Sequence, residues 1–335
     1  MKVALDSRPA SDLGGVARYA RCLLDALRET AAASDEVIET NRPAASMRAR
    51  GADLFHAPWI EGAMLHSPCP MVVTIHDLAR YKRRSEHLRQ SLRARLRPLA
   101  LQRAAAVIVP SQAVAEDAVS QLRLEPERIV VIPEAADTVM YPRDAAEIDE
   151  VRSRFGLPQR YLLWVGSLRH PDPATHIAKL AATPRELPLV LVGPTRPWAH
   201  ELPGVILTGQ VSDAELSALY SGAHALAISS GEQGFGLSAV EALACGTPVA
   251  AVSGPALREV LGERATFVEP GDMPALIAAA QAARRPAPPP PCWTWHDAAR
   301  ETWSVYARAI TPLETPRSRR SGRSGLPRPR RLETQ

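Results

Sequence analysis

The chain has 335 residues, 46% hydrophobic and 23% charged, with a formal net charge of +4. That length suggests two domains, each able to bury its own core, and no apolar run of about 18 residues is present to span a membrane. The four cysteines, Cys22, Cys69, Cys245 and Cys292, lie far apart without a C-x-x-C pair, which argues against a disulfide framework and against a metal site built on cysteine.

In chain order, Lys2–Asp6 reads as a first strand. It meets an acid too early for a signal peptide, so a cytoplasmic protein is expected. Gly14-Gly15 follows, then a helix over Val16–Glu29 with Val16, Tyr19, Ala20, Leu23, Leu24 and Leu27 at helical spacing. Leu54–His56, Met71–Ile75, Ala106–Val109 and Ile129–Ile132 are short runs suited to strands buried on both faces of a parallel sheet. Helices are expected between them, over Ser85–Ala105 with a kink at Pro98 and over Ala113–Leu122.

After a connection carrying the helix Ala145–Phe155, the pattern restarts. Tyr161–Val165, Leu189–Val192, Val205–Leu207, Ala225–Ile228 and Pro248–Val252 read as strands of a second doubly wound domain. Arg284–Pro291 is proline-rich and reads as a stiff linker. A last helix is expected over His296–Ala309. From Thr311 to Gln335 there are seven Arg against two Glu, and the segment reads as a disordered tail. The basicity therefore sits in that tail, not in a domain that recognises nucleic acid specifically.

Two tandem α/β domains imply a cleft beside the carboxyl ends of their strands. One segment sharpens this: Ser229-Ser230-Gly231-Glu232-Gln233-Gly234-Phe235-Gly236-Leu237-Ser238-Ala239-Val240-Glu241. A strand end, a glycine turn and a helix start offer backbone N–H groups to a diphosphate. Glu241, one turn inside, has a carboxylate that accepts from a ribose diol. Two plainer readings stand beside this: an ordinary α/β turn, and a capping box Ser238-x-x-Glu241 that spends Glu241 on its own backbone.

The segment, continued through Ala242 and Ala244-Cys245-Gly246-Thr247-Pro248, resembles the donor-binding motif of glycosyltransferase family 4. Gly14–Tyr19, the His76-Asp77-Leu78 stretch, Pro126–Pro133, Leu163–Gly166 and Trp295, Ala299 and Tyr306 resemble further family motifs in the same order, over about residues 1–310. The resemblance implies a GT-B fold of two doubly wound Rossmann-like α/β domains facing a cleft. An acceptor-side domain spans 1–143 and a nucleotide-sugar-binding domain 144–285. A linker and a helix crossing back to the first domain take up 286–311, and the tail is 312–335. It implies a retaining transfer of a hexosyl group, mannosyl or glucosyl, from a UDP- or GDP-sugar to a glycan or lipid-linked acceptor in cell-envelope glycan biosynthesis. No metal or other cofactor is needed.

By the same resemblance, Gly14, Gly15, Gly166, Gly234, Phe235, Gly236, Leu237 and Glu241 bind the donor, Gly15 and Gly166 by letting backbone approach the phosphates. His76 contacts the sugar near the reacting centre, unless it is a structural histidine ending a buried strand. The position of the family's first acidic residue is Gln233, with Glu232 one place earlier and able to take its part after a small loop shift, and His76, Glu232 and Gln233 are the catalytic residues that the resemblance implies. Gln233 stands where the family carries Glu, and a neutral acceptor makes weaker hydrogen bonds than a charged one. In the loop after Gly166, Ser167 and Asp172 stand where the family carries Arg and Lys. Either Asp172 turns away from the phosphates or that subsite is lost, and Arg169 or Arg196 replaces the missing cations or is simply solvated. These departures leave an alternative open: a catalytically degenerate relative acting as a binding or partner subunit.

Residues 82–103 are strongly basic, with Leu88, Leu92, Leu96 and Leu99 at helical spacing. Such a helix either lies peripherally on the inner face of an anionic membrane or packs on the core with a solvated basic face.

Overall fold

The structure, a computed structural model, describes residues 1–11, 14–41, 51–79 and 92–311, the side chains of residues 92–95 excepted. The tail expected over 312–335 and the first half of the basic segment therefore lie outside the described residues.

Two parallel six-stranded sheets organise the chain. The first contains β1 (Lys2–Asp6), β2 (Glu36–Thr40), β3 (Leu54–Ala57), β4 (Met71–Thr74), β5 (Ala106–Val109) and β6 (Ile129–Val131), in the order β2-β1-β3-β4-β5-β6. The second contains β7 (Leu162–Val165), β8 (Leu189–Val192), β9 (Val205–Gly209), β10 (Ala225–Ile228), β11 (Val249–Val252) and β12 (Ala265–Val268), in the order β12-β11-β10-β7-β8-β9. Each order reverses at one point, and a ligand crevice opens at such a switch outside the carboxyl ends of the strands. The central strands are buried at every position, as expected of apolar runs covered by helices on both faces.

The helices that matter for the site are α1 (Gly15–Thr30), α2 (Leu92–Leu101), α3 (Gln112–Leu122), α4 (Ala145–Phe155), α5 (Ile177–Ala182), α6 (Asp213–Gly222), α7 (Leu237–Ala244), α8 (Pro255–Leu261), α9 (Met273–Ala282) and α10 (Trp295–Ile310). Helix α2 stops at Leu101, four residues before the expected end, with Pro98 inside it. Arg97 within it lies 3.5 Å from Glu61, and Arg103 just beyond it donates to the Leu65 carbonyl at 2.7 Å.

Helix α1 buries Tyr19, Leu23, Leu24 and Leu27. Helix α10 completes the same core with Trp295, Ala299, Val305 and Tyr306, so the end of the described chain packs on its beginning. The chain passes between the two sheets twice, through 133–143 and through 283–294. The proline-rich part of the second passage is not a free spacer. Arg285 donates to the carbonyls of Gly246 at 2.9 Å and Ala223 at 3.1 Å, fastening it to the second sheet's domain. Among the described residues no helix is long and apolar enough to cross a membrane.

Candidate functional site

The glycine turn after β10 is built by close backbone approach. A Cβ on Gly231 would stand 2.3 Å from the Ser253 carbonyl oxygen, and one on Gly234 would stand 1.6 Å from that of His76. Gly236 has φ 85°, a left-handed conformation that costs glycine little. It starts α7 with no side chain capping the helix. The turn thus touches the first sheet's domain at His76. Ser111, at the start of α3, strengthens the contact by donating to the Gly234 carbonyl at 2.7 Å. Beside it, Glu259 of α8 accepts from the backbone N–H of Gln112 at 2.7 Å and Ala113 at 2.9 Å, capping α3 from the other domain.

The capping box proposed for Ser238 and Glu241 does not form. Arg18, on the first turn of α1, reaches Glu241 at 2.5 Å and Asp213 at 2.6 Å, while Tyr220 donates to the other Glu241 oxygen at 3.1 Å. The Arg18 and Glu241 side chains are 11% and 4% exposed, so this pair is shielded from water and salt. Burial opposes charge on the guanidinium, but the pull of Glu241 and then Asp213 outweighs it and raises its pKa further. Arg21 adds a looser contact to Asp213 at 3.3 Å.

His76, just beyond β4, has both ring nitrogens engaged. Nε2 donates to the Pro58 carbonyl at 2.9 Å, and Nδ1 lies 2.9 Å from a Glu134 carboxylate oxygen. A carbonyl only accepts, and a carboxylate accepts best, so the arrangement suits the doubly protonated imidazolium. Burial works against that charge, but the hydrogen bond and charge of Glu134 prevail, and the His76 pKa is raised. Tyr19 stacks edge-on against the ring at 4.5 Å between centroids and bonds Thr74 at 3.0 Å. Thr74 in turn meets His56 at 2.9 Å, and His56 meets Tyr306 of α10 at 2.6 Å. This buried polar chain runs from the last helix to the edge of the cleft. Through it the last helix helps to fix the Tyr19 ring against His76.

The loop after β7 is held from β10. Ser229 accepts from the Trp164 indole at 3.1 Å and donates to the Thr175 carbonyl. A Cβ on Gly166 would stand 2.5 Å from the Trp164 ring, so internal packing already requires glycine there. Among the described residues nothing lies within 4 Å of a Cβ added at Gly14 or Gly15. Asp172 accepts from the Ala174 N–H at 2.9 Å and so caps its own short turn.

Gln233 faces two cavities. One, of about 110 Å³, lies between the domains and is lined by Asp77, Leu78, Val114, Glu232 and Gly234 among others. The second, of about 50 Å³, lies over Trp164, Ser229 and Ser238. Glu232 is exposed beside Gln233. Among the described residues no three His, Cys, Asp or Glu side chains gather as a metal-binding group.

The turn residues Glu232, Gln233 and Gly234 thus line the cavity between the domains, His76 stands behind the Gly234 backbone, Phe235 and Leu237 are buried, and Glu241 is buried under Arg18 from the helix that follows Gly14 and Gly15, while Gly166 and Arg169 lie on the loop after β7. Arg18, Asp213, Tyr220 and Glu134 were not singled out from sequence. Arg18 lies inside the quoted Gly14–Tyr19 stretch, but its partners are 195 and 223 residues away. No local pattern could pair them.

The model for Glycosyltransferase Family 4 matches residues 36–139, and that for Glycosyl transferases group 1 matches residues 159–284. A 2-deoxystreptamine glucosyltransferase of Streptomyces kanamyceticus is 28% identical over 58% of this chain and 55% of its own length. An MMP alpha-(1->4)-mannosyltransferase of Mycolicibacterium hassiacum is 30% identical over 61% of this chain and 54% of its own. The matched chain thus spans just over half the length of these relatives. A sucrose-phosphate synthase from Thermosynechococcus elongatus shares the fold, with TM-score 0.67 and 23% identity over 92% of this chain and 96% of that one.

Proposed function

Because the chain belongs to the GT-B glycosyltransferases of the family 4 type, we propose that it moves a hexosyl group, mannosyl or glucosyl, from a UDP- or GDP-sugar to a glycan or lipid-linked acceptor. One observation carries this reading. Two helices that no side chain caps, α1 and α7, each begin behind a glycine, and an ion pair from Arg18 to Glu241 joins the first turn of α1 to the second turn of α7. Helix N-termini of this kind favour a diphosphate. Glu241 lies one turn further in, where a ribose diol would meet its carboxylate.

The chemistry asked of the site is stabilisation of separating charge. As the bond from the anomeric carbon to the diphosphate breaks, negative charge grows on the leaving phosphate and the sugar becomes oxocarbenium-like. Fixed N–H donors and cations at the phosphate lower that barrier. The acceptor hydroxyl then bonds to the anomeric carbon on the face that the phosphate leaves, and its proton passes to the phosphate, so configuration is retained. His76 has no free nitrogen for a base role, because the Pro58 carbonyl and the Glu134 carboxylate hold both of them. No metal takes part, and chelation with EDTA is expected to leave the rate unchanged.

Calorimetry and donor hydrolysis with a panel of UDP- and GDP-sugars test the reading. Binding of at least one donor, with release of its nucleotide, is expected. A folded protein that binds none of them sinks the proposal. The same reading keeps the protein in the cytoplasm and lays residues 82–103 against the inner face of the membrane. Flotation with anionic but not neutral vesicles checks that contact.

A further inference from the structure

We infer that Arg18 is an exchangeable cation of the nucleotide site: it covers Glu241 in the structure and moves onto the donor's diphosphate when a nucleotide sugar engages that carboxylate. The inference deepens the donor reading above and rests on it.

Three observations lead there. First, Glu241 cannot meet a ribose while Arg18 lies on it, because its side chain is 4% exposed under the guanidinium. Its other partner, Tyr220, is fully buried on α6 and belongs to the same domain. Arg18 comes from the opposite domain on a long side chain, so it is the partner that can leave. Second, helix side chains point back toward the N-terminus, and Arg18 is four residues beyond Gly14. Its reach therefore covers the space beside Gly14 and Gly15, where no described residue lies within 4 Å of an added Cβ, in front of the helix end where an anion is favoured. Third, the charges need it. A diphosphate placed beside Glu241 and Asp213 meets two carboxylates, and Arg18 touches both of them. Transfer of its planar fork to the phosphate gives a charge-assisted, bidentate contact of the kind guanidinium favours. No bond is made or broken in the exchange.

Titration calorimetry with UDP and GDP and with the matching nucleosides tests this on the full chain. In the parent, the preferred diphosphate binds more tightly than its nucleoside. In Arg18→Ala that advantage is expected to shrink by about tenfold or more, while the nucleoside binds as well as before or better, because Glu241 is uncovered. In Asp213→Asn, which removes a competitor for Arg18 and leaves Glu241 paired, the advantage is expected to grow. A purely structural Arg18 would weaken nucleoside and diphosphate alike in both variants, and that result overturns the inference. So does an undiminished advantage in Arg18→Ala. If Arg18→Ala does not fold, Asp213→Asn decides alone: an unchanged or smaller advantage overturns the inference. If the parent binds neither nucleotide, the donor reading itself falls, and this inference falls with it.

Discussion

His76 and His56 sit 20 residues apart in sequence and carry opposite burdens. Glu134 raises the His76 pKa, so that its proton is bound more tightly in the folded chain than in the unfolded one. The stability this contributes is complete below the unfolded value of about 6.5 and is lost as pH rises through the raised folded value. His56, fully buried, is pushed down to about 3, so it stays neutral in the fold. Below about pH 6.5 the unfolded chain gains a proton there that the folded chain does not, which costs about 2 kcal/mol by pH 5. Urea unfolding across pH 5 to 9 is therefore expected to show stability falling on both sides of neutrality. In Glu134→Gln the alkaline fall disappears and the His76 ring titrates lower by NMR, while the acid fall from His56 remains. An alkaline limb that survives in Glu134→Gln would remove the Glu134–His76 pair from this account.

At the scale of elements, the glycine turn is the tightest joint between the domains. Gly234→Ala places a methyl group on the His76 carbonyl, with backbone on both sides and no flexible tip to yield. It is expected to cost at least about 2 kcal/mol and to open the cleft. A larger radius of gyration by X-ray scattering, together with lost donor binding, checks this. Glu259→Ala at the other contact removes only a cap on α3, worth about 1 kcal/mol, and is expected to open the cleft less.

Legibility in the sequence followed the same divide between local and distant. The helix Ala145–Phe155 and most central strands stood out, because continuous apolar runs and caps are local signals. The edge strands β2 and β12 did not. Glu36, Glu39 and Thr266 face solvent on them, and an edge has only one neighbour to reward apolar residues. The helices α5, α6, α8 and α9 also passed unmarked, and α5 and α8 span seven residues or fewer. At the site, the turn and Glu241 were legible through their order. The carboxylate's real partner was not, because Arg18 on an amphipathic helix reads as a solvated charge until the second domain is in place.

At the scale of the whole molecule, the first sheet's domain is closed by the last described helix. Tyr306→Phe leaves the buried His56 Nδ1 without its partner and is expected to cost about 1–3 kcal/mol. Deleting residues 295–310 uncovers Leu23, Leu27 and Val3 together. Such a chain is expected to lose cooperative unfolding of its first half while the second sheet still melts as a unit, and calorimetry separates the two transitions.

That closure also sets a timetable. Domains are generally completed in the order in which the ribosome releases them, at roughly 5–20 residues per second. Here the greasy face of α1 leaves the tunnel early but waits roughly 15–55 s for Trp295 and Tyr306 to arrive. The second domain, whose strands all precede α10, can finish first. The first sheet's domain is then sealed after the second has assembled, and its exposure to proteases and chaperones is greatest along α1 until α10 emerges.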